Sequence, residues 1–383
     1  MKKTWFVLLL LTVLLLCGTA WAEEAKDITK YCTLTTNGNE NNIWRMLDHE
    51  SIYYWNSRKG NGGYLDFTVP EGQTFGGLYI TWGEEVAPWA LQKKNGKAFD
   101  TLYQGKAGDY AHQYIPGDGG NGVYRIQLLE IAKYEQLHIR DLYILSDGDL
   151  PGWVQLWEPT KPSCDLMVIS AHADDELIFF GGVIPYYNTE RGLDVVVAYM
   201  SVSDYYRRTE LLNGLWECGV RNYPVIGPFR DEYCETLSDG YAHWGGKAKV
   251  TDYILGLMDI YQPKVVITHD TNGEYGHGAH KATAAGTLAT VTEHNTSVEK
   301  LYLHLYKENS LTMDWRQPLS ALGGRTALQV AKDAFQLHVS QRDFFSVKDT
   351  GATANNLFGL AYTTVGADEE KNDLMEHISL DKE

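Results

Sequence analysis

One short stretch, residues 166–176, constrains the fold of this chain more than any other. Residues 166–169 form a continuous apolar run with β-branched side chains, which is typical of a buried strand in a parallel sheet. The polar residues that follow are His172, Asp174, Asp175 and Glu176. Because open α/β folds bind ligands at the carboxyl ends of their strands, the stretch predicts an α/β domain with a functional site directly after this strand.

The spacing within the stretch determines which side chains can act together. His172 and Asp175 are three residues apart, so they share a face where a helix begins, and Asp174 projects beside them. Imidazole plus carboxylate suits Zn²⁺ and similar metals, and a catalytic zinc usually has three protein ligands. A third ligand must therefore come from elsewhere. The alternative is a helix start whose acidic residues only favour the positive end of the helix dipole.

Beyond this stretch, strands and helices alternate. Residues 194–200 and 264–268 are further apolar strands, and the segments 207–218 and 247–261 are predicted helices between them. This alternation implies a parallel sheet with right-handed crossovers.

The last of these strands leads directly into a second polar stretch, residues 269–280. His277 and His280 are three residues apart at the start of an Ala-rich helix, so both can face the same crevice as His172 and Asp175. A lone HxxH is a weak signal. Two polar stretches that each follow a parallel strand, and that each supply part of a metal-ligand set, are a much stronger signal for a metal site. We call each of these stretches a half-site.

The two stretches resemble the hallmark motifs, AHPDDE and GEYGHxxH, of the PIG-L/LmbE-like family of zinc-dependent N-acetylglucosaminyl deacetylases. Residues 171–176 match the first motif with Ala173 in place of Pro, and residues 273–280 match the second. Between them, Arg207-Arg-Thr-Glu210 resembles the family's RxxE helix. The resemblance covers about 160–345 and implies a Rossmann-like parallel sheet with helices on both faces.

The resemblance also implies a role for each motif residue. The implied Zn²⁺ ligands are His172, Asp175 and His280. The implied catalytic residues are Asp174 as general base, His277 as a polarising or protonating group, and Tyr275 as a partner of the oxyanion; Arg207 and Glu274 are predicted to bind substrate. One departure concerns His277, because Ala279 stands where many members have an Asp that orients it. Either His277 therefore has properties that differ from those of its counterpart in the family, or Glu274 or Asp270 orients it instead.

The chemistry agrees with these residue types. An amide is a poor electrophile, and a metal ion can polarise its carbonyl and activate water. The chain has neither GxSxG nor HExxH, which disfavours a serine hydrolase or a zincin. We therefore expect a hydrolase that removes acetyl from an N-acetylglucosamine-type amino sugar or glycan. The alternatives are an amidase acting on another acylated amine and a non-catalytic glycan-binding surface protein.

The N-terminal third of the chain has an all-β character. Short runs such as 64–69, 78–82, 123–128 and 137–144 are separated by Gly, Asn and Asp, which predicts a β-sandwich. This part resembles discoidin-like (galactose-binding-like) jelly rolls. Its tryptophans can stack on sugar rings if exposed, but the core is the favoured position for any one of them; they are Trp44, Trp55, Trp82 and Trp89. The GxGxxG at 117–122 precedes a strand and is predicted to be a loop.

The ends of the chain carry further signals. Residues 1–22, with Lys2, Lys3, an apolar run and Ala20-x-Ala22, predict a cleaved secretory signal, with a lipidated Cys17 or an uncleaved anchor as alternatives. Near the other end, 327–340 is a predicted helix, with His338 favoured as structural. Residues 358–366 are expected to pack over the sheet or to line the pocket mouth.

The predicted organisation is a sandwich at 23–150, a linker at 151–162 and a deacetylase domain at 163–383. We expect a secreted or extracytoplasmic protein with no integral membrane span after signal removal. The net charge of −17 argues against nucleic acid and acidic membranes as main partners. Four widely spaced cysteines remain after residue 22; they suggest neither a zinc knot nor a dense disulfide framework, and one disulfide stays open.

Overall fold

The computed structural model describes residues 23–50, 52–59, 62–129, 136–202 and 204–380. The predicted signal at 1–22, including the Cys17 alternative, lies outside these described residues. Within them, we find no helix that combines the length and the apolar character needed to cross a membrane. The cysteines of the described part are all free, so no disulfide forms among them.

The N-terminal part is a sandwich of two antiparallel sheets, as predicted. Its strands are β1 (Thr33–Thr36), β2 (Trp55–Asn56), β3 (Tyr64–Val69), β4 (Gly77–Trp82), β5 (Trp89–Asn95), β6 (Ala98–Gly105), β7 (His112–Pro116), β8 (Gly122–Leu128) and β9 (His138–Leu145). The five-stranded sheet has the order β1-β3-β8-β5-β6, and the four-stranded sheet has the order β2-β9-β4-β7. Short 3₁₀ helices at Thr29–Tyr31 and Glu40–Met46 flank β1.

The two sheets enclose one apolar core. Leu65 and Phe67 of β3 alternate with outward residues and meet Ile80 of β4 across the interior. Trp55, Trp82 and Trp89 are buried in this core, as the sequence favoured, whereas Trp44 is 50% exposed. Residues 117–121 form a loop that leads into β8, which begins at Gly122, so most of the GxGxxG segment is a loop, as predicted.

The second part is an α/β domain built on a seven-stranded sheet. Its strands are β10 (Leu166–Ser170), β11 (Val195–Ser201), β12 (Val225–Phe229), β13 (Val265–Thr268), β14 (Lys300–His304), β15 (Ser310–Thr312) and β16 (Leu357–Thr363), in the order β12-β11-β10-β13-β14-β16-β15. The first five strands in this order pair in parallel.

The predicted parallel sheet has an antiparallel edge, because β16 pairs antiparallel with β14 and with β15. The sequence predicted that 358–366 packs over the sheet or lines the pocket mouth. Residues 358–363 instead belong to strand β16 within the sheet. Its burial explains the error: Phe358, Gly359 and Leu360 are all buried. A short apolar run of this kind fits a strand and a buried loop equally well.

Helices cover both faces of the sheet. They are α1 (Asp175–Ile178), α2 (Tyr205–Glu217), α3 (Leu237–His243), α4 (Lys247–Tyr261), α5 (Gly278–Glu293) and α6 (Ala327–Gln336), with a π-helical segment at Ile184–Glu190 and a 3₁₀ turn at Ser320–Leu322. On β10, Val168 faces a core shared with α2 and α6, and Met167 faces one shared with α4 and α5. The two-sided apolar character of the strand is the reason why its sequence is a continuous run.

The segment between the two parts touches both of them. Trp153 packs against Tyr143 of the sandwich, with ring centroids 4.7 Å apart. Trp157 packs edge-on against Trp216 of α2 at 5.5 Å. The tryptophans of the predicted linker thus hold the sandwich and the α/β domain together.

Candidate metal centre and active site

The two polar stretches meet because β10 and β13 are neighbours in the sheet. The strands pair in parallel, with Val168 opposite Ile267, so both chains leave the sheet at the same edge. The first chain turns into α1, which begins at Asp175, and the second turns into α5, which places His280 in its first turn. The side chains of both half-sites therefore enter one crevice, as predicted.

Three ligand atoms lie close together in this crevice. Asp175 Oδ2 is 3.0 Å from His172 Nδ1 and 3.2 Å from His280 Nε2, and the two histidine nitrogens are 3.3 Å apart. Two ligands of a tetrahedral zinc ion, with bonds of about 2.1 Å, lie about 3.4 Å apart. The three predicted ligands thus have the spacing and the donor types that suit such an ion.

Two other histidines lie close enough to be considered as ligands. His269 Nε2 is 3.7 Å from Asp175 Oδ2, but it accepts a hydrogen bond of 2.8 Å from the Ala171 N–H. His277 is also near His172 and His280, yet its Nδ1 accepts from the Ala279 N–H at 3.1 Å. The lone pairs of His269 Nε2 and His277 Nδ1 already accept hydrogen bonds from the backbone. Among the described residues, His172, Asp175 and His280 are therefore the set best suited to bind a metal ion.

Glu274 lies beneath this set, and its side chain is fully buried. Its carboxylate accepts hydrogen bonds from Nδ1 of His269, His280 and His304, at 2.5–3.0 Å, and from the Asp270 N–H. Although burial alone would raise it, the pKa of Glu274 is held well below its usual range by His269 and His280. The predicted substrate-binding role does not fit this position. Glu274 instead fixes the His280 tautomer in which Nε2 carries a lone pair that could bind a metal ion.

His277 is oriented by the backbone. It is the N-cap of α5, and its Nδ1 accepts from the Ala279 N–H, so neither Glu274 nor Asp270 orients it as the sequence suggested. A neutral imidazole that accepts at Nδ1 carries its proton at Nε2. Burial, together with the nearby His172 and His280, lowers the pKa of His277 to about 3. The ring is therefore neutral and offers one N–H donor.

Asp174 adopts an unusual backbone conformation next to the ligand set. Its φ of 110° lies in a region that few non-glycine residues occupy, and its N–H donates to Glu176 Oε2. Its buried carboxylate lies 3.0 Å from the Arg207 guanidinium. Burial raises the pKa of Asp174 to about 7, and Arg207 opposes this shift. Strain of this kind, held by a network of contacts, is typical of functional sites.

The crevice opens into a pocket of about 360 Å³. Arg207 and Tyr275 line it, and Tyr275 is 46% exposed at its mouth. Arg207 also donates to the Ala173 carbonyl, so it braces the turn that carries Asp174. Glu210, from the same helix, accepts from the N–H and the hydroxyl of Ser340. These two hydrogen bonds hold the turn after α6 at the edge of the pocket.

Sequence analysis missed several residues that line the pocket, among them Asp231, Gln341 and Phe345. Asp231 Oδ1 is 3.6 Å from His172 Nε2. Asp231 follows β12, whose carboxyl end lies at the same sheet edge. This position after a strand is the one feature of the sequence that could have indicated Asp231 as a site residue. Several acidic residues follow that strand, however, and spacing alone does not select one of them. Gln341 and Phe345 enter through a turn that has no motif.

Comparison with known proteins agrees with the site. Residues 167–291 match the PIG-L family model, described as GlcNAc-PI de-N-acetylase. Curated relatives include the 1D-myo-inositol 2-acetamido-2-deoxy-alpha-D-glucopyranoside deacetylases of Mycolicibacterium gilvum, 29% identical over 38% of this chain and 61% of that protein, and of Mycobacterium sp. strain KMS, 27% identical over 36% and 53%. The chain spans about half the length of the curated relatives it matches.

The sandwich has its own structural neighbours. One is the chitosan-binding module 1 of a chitosanase/glucanase from Paenibacillus sp. IK-5, with 15% identity and a TM-score of 0.27 over 31% of this chain and 98% of that one. Another is an F5/8 type C domain from Bacteroides fragilis, with 13% identity and a TM-score of 0.27 over 33% and 97%. The family match lies elsewhere, in the part that carries the site: residues 167–291 are a PIG-L domain.

Proposed function

We propose that this chain is a zinc-dependent N-deacetylase that removes acetyl from an N-acetylglucosamine-type amino sugar or glycan. The observation that carries the proposal is the convergence of His172 Nδ1, Asp175 Oδ2 and His280 Nε2 within 3.3 Å of one another, at the floor of an open pocket. The names of the curated relatives support the acetamido sugar as substrate class.

The residues divide the chemistry among themselves. His172, Asp175 and His280 would hold the metal ion. When bound, zinc would supply a Lewis acid that polarises the amide carbonyl and lowers the pKa of water. Asp174 lies beside the ligands without being one of the three. A carboxylate whose pKa is near 7 can take the proton of the attacking water and pass it to the leaving amine.

The developing oxyanion needs donors on the other side of the pocket. His277 Nε2–H is one such donor, because its Nδ1 is already occupied by the backbone. The Tyr275 hydroxyl is the second, at the pocket mouth. Arg207 has two tasks in the proposal: it orients the Asp174 carboxylate, and it lines the wall against which the sugar would lie.

The organisation predicted from the sequence is part of the proposal. We place a signal at 1–22, the sandwich at 23–150, the linker at 151–162 and the deacetylase domain at 163–383, in a secreted or extracytoplasmic protein. The substrate is then an extracytoplasmic glycan, and the sandwich is its accessory carbohydrate-binding part.

Metal analysis combined with acetate release tests the proposal. The purified protein should bind about one zinc per chain and release acetate from chitooligosaccharides, peptidoglycan fragments or host-type glycans. A chelator should abolish release, and added Zn²⁺ should restore it. Matched substrates with longer N-acyl groups separate the alternatives. Faster release of a longer acyl group would favour a general amidase, and glycan binding with no release from any substrate would favour a non-catalytic protein.

Glu274→Gln should weaken zinc binding by about 10- to 100-fold, as expected for the loss of an outer partner of a ligand. The amide keeps one acceptor oxygen and places an NH2 donor at the other position, so it cannot accept from both His280 and His304 as the carboxylate does, and the network that fixes the His280 tautomer is weakened. Competition with a chromophoric chelator measures the affinity. Glu232→Gln, at a half-exposed glutamate outside this network, is the matched control. Unchanged affinity in a folded Glu274→Gln protein would contradict the assignment.

A further inference from the structure

A second cavity, of about 430 Å³, lies between the sandwich and the α/β domain. This volume falls within the range of about 300–1,000 Å³ that small-molecule sites occupy. Its walls are the outer face of the four-stranded sheet, the linker and helix α2. The described residues that form these walls are all different from those of the proposed deacetylase site.

The sheet wall holds a buried carboxylate with unused capacity. Asp141 is 7% exposed, and its Oδ2 accepts from the Thr81 hydroxyl at 2.7 Å. Its Oδ1 has no partner within hydrogen-bond distance among the described residues, although it forms a longer ion pair with His49, whose Nδ1 is 3.8 Å away. A buried carboxylate oxygen without a partner is costly, so this atom is suited to accept from a ligand hydroxyl.

A buried imidazole on the same wall repeats this pattern. His112 is 2% exposed, and its Nδ1 is 3.1 Å from the Tyr79 hydroxyl. Within the described part of the chain its Nε2 has no partner in hydrogen-bond geometry, although Gln155 of the linker lies beside it. The cavity is therefore lined by two polar atoms that have no partner in hydrogen-bond geometry among the described residues, on residues that are 7% and 2% exposed.

Aromatic rings form the next part of the lining. Trp153 is 44% exposed, and its ring packs 4.7 Å from Tyr143 and 5.7 Å from Tyr79. These two tyrosines hold the indole in place while part of its surface stays open. The lining, as far as the described residues form it, includes no lysine or arginine, so it offers no strong cation to an anionic ligand.

Helix α2 separates this cavity from the active-site pocket. Thr209, Asn213 and Trp216 are spaced by four and three residues, so they lie on one face of the helix and line the cavity. The Thr209 hydroxyl also has no partner among the described residues. Arg207, on another face of the same helix, lines the active-site pocket. The two sites therefore share one wall.

We propose that this cavity binds one uncharged pyranose unit of a glycan, at a site distinct from the deacetylase pocket. The apolar face of the sugar ring would pack on the open surface of Trp153, and its hydroxyls would meet Asp141 Oδ1, His112 Nε2 and the Thr209 hydroxyl. Aromatic surface combined with buried acceptors suits a ligand that is apolar on one face and rich in hydroxyls at its rim.

The test measures binding of methyl glycosides of glucose, galactose, mannose and N-acetylglucosamine to the full chain, with methyl glucuronide as the anionic probe. At least one uncharged glycoside should bind, and Trp153→Ala should weaken that binding by about tenfold or more. Asp141→Asn should weaken it as well, while the Thr81 hydrogen bond remains available to the amide oxygen. Trp44→Ala, at a tryptophan of similar exposure outside the cavity, should bind as wild type does.

Other results would overturn the proposal. Binding of none of the four uncharged glycosides would remove the site, and binding of the glucuronide alone would refute the uncharged ligand. Loss of binding in Trp44→Ala but not in Trp153→Ala would show that the sugar binds at the loops of the sandwich and not in this cavity. Acetate release by Trp153→Ala gives an independent readout. If it stays at the wild-type rate on a small soluble substrate while glycoside binding falls, the two sites are separate.

Discussion

Asp174→Asn is expected to lower kcat by about 100- to 10,000-fold, while zinc content and substrate affinity stay close to those of the wild type. The substitution keeps the size and shape of the side chain, but an amide cannot accept the proton of the attacking water. Acetate release, metal analysis and a binding assay on the same preparation measure the three quantities.

The structure explains why this substitution should leave the fold intact. Asp174 has a φ of 110°, and asparagine tolerates positive φ better than most residues do. Its N–H donates to Glu176 whichever side chain it carries. An asparagine oxygen can still accept from Arg207, although more weakly than a carboxylate does. The loss in kcat would therefore report chemistry and not unfolding.

Asp204→Asn is the matched control, because Asp204 also lines the pocket but is exposed and caps no helix with its side chain. It should release acetate at nearly the wild-type rate. Asp175→Asn should instead lose the metal. If Asp174→Asn lost zinc and Asp175→Asn kept it, the two acids would have to exchange roles. If neither substitution slowed acetate release, the hydrolase proposal would fail.

The convergence of the ligand set could be predicted from the sequence because two local patterns were sufficient. Each half-site follows a buried strand, and parallel neighbouring strands bring such residues to one edge. The i, i+3 spacing then places His172 and Asp175 on a common face. The family resemblance added which residue takes which role, and the roles themselves stay predictions.

The parts that could not be predicted depend on tertiary contacts without a local pattern. Glu274 follows the same strand as His280, and only the folded chain shows that its carboxylate points down into three histidines. The backbone bond from Ala279 to His277 is likewise invisible in a sequence, because every residue except proline has an N–H. The antiparallel β16 was missed because chain direction within a sheet leaves no mark on a short apolar run.

The second large effect that we predict distinguishes His172 from His269 as the zinc ligand. Each of these histidines has a ring nitrogen within 3.7 Å of Asp175 Oδ2. His172→Ala should lower zinc affinity by more than the roughly 100-fold that an outer partner can contribute, and acetate release should fall to background. His269→Gln should cost no more than about 10- to 100-fold in affinity. The reason is that His269 already uses both nitrogens, one accepting from Ala171 and one donating to Glu274.

Zinc affinity by chelator competition and acetate release at saturating zinc together distinguish the two histidines. A true ligand is not replaced by excess metal, whereas a protein with a weakened outer partner recovers activity once the site is filled. His269→Gln should therefore regain activity as zinc is raised, and His172→Ala should not. His294→Ala, at an exposed histidine at the end of α5, controls for the loss of an imidazole. If His269→Gln lost zinc irreversibly and His172→Ala kept it, the metal would instead lie between Asp175, His269 and His280.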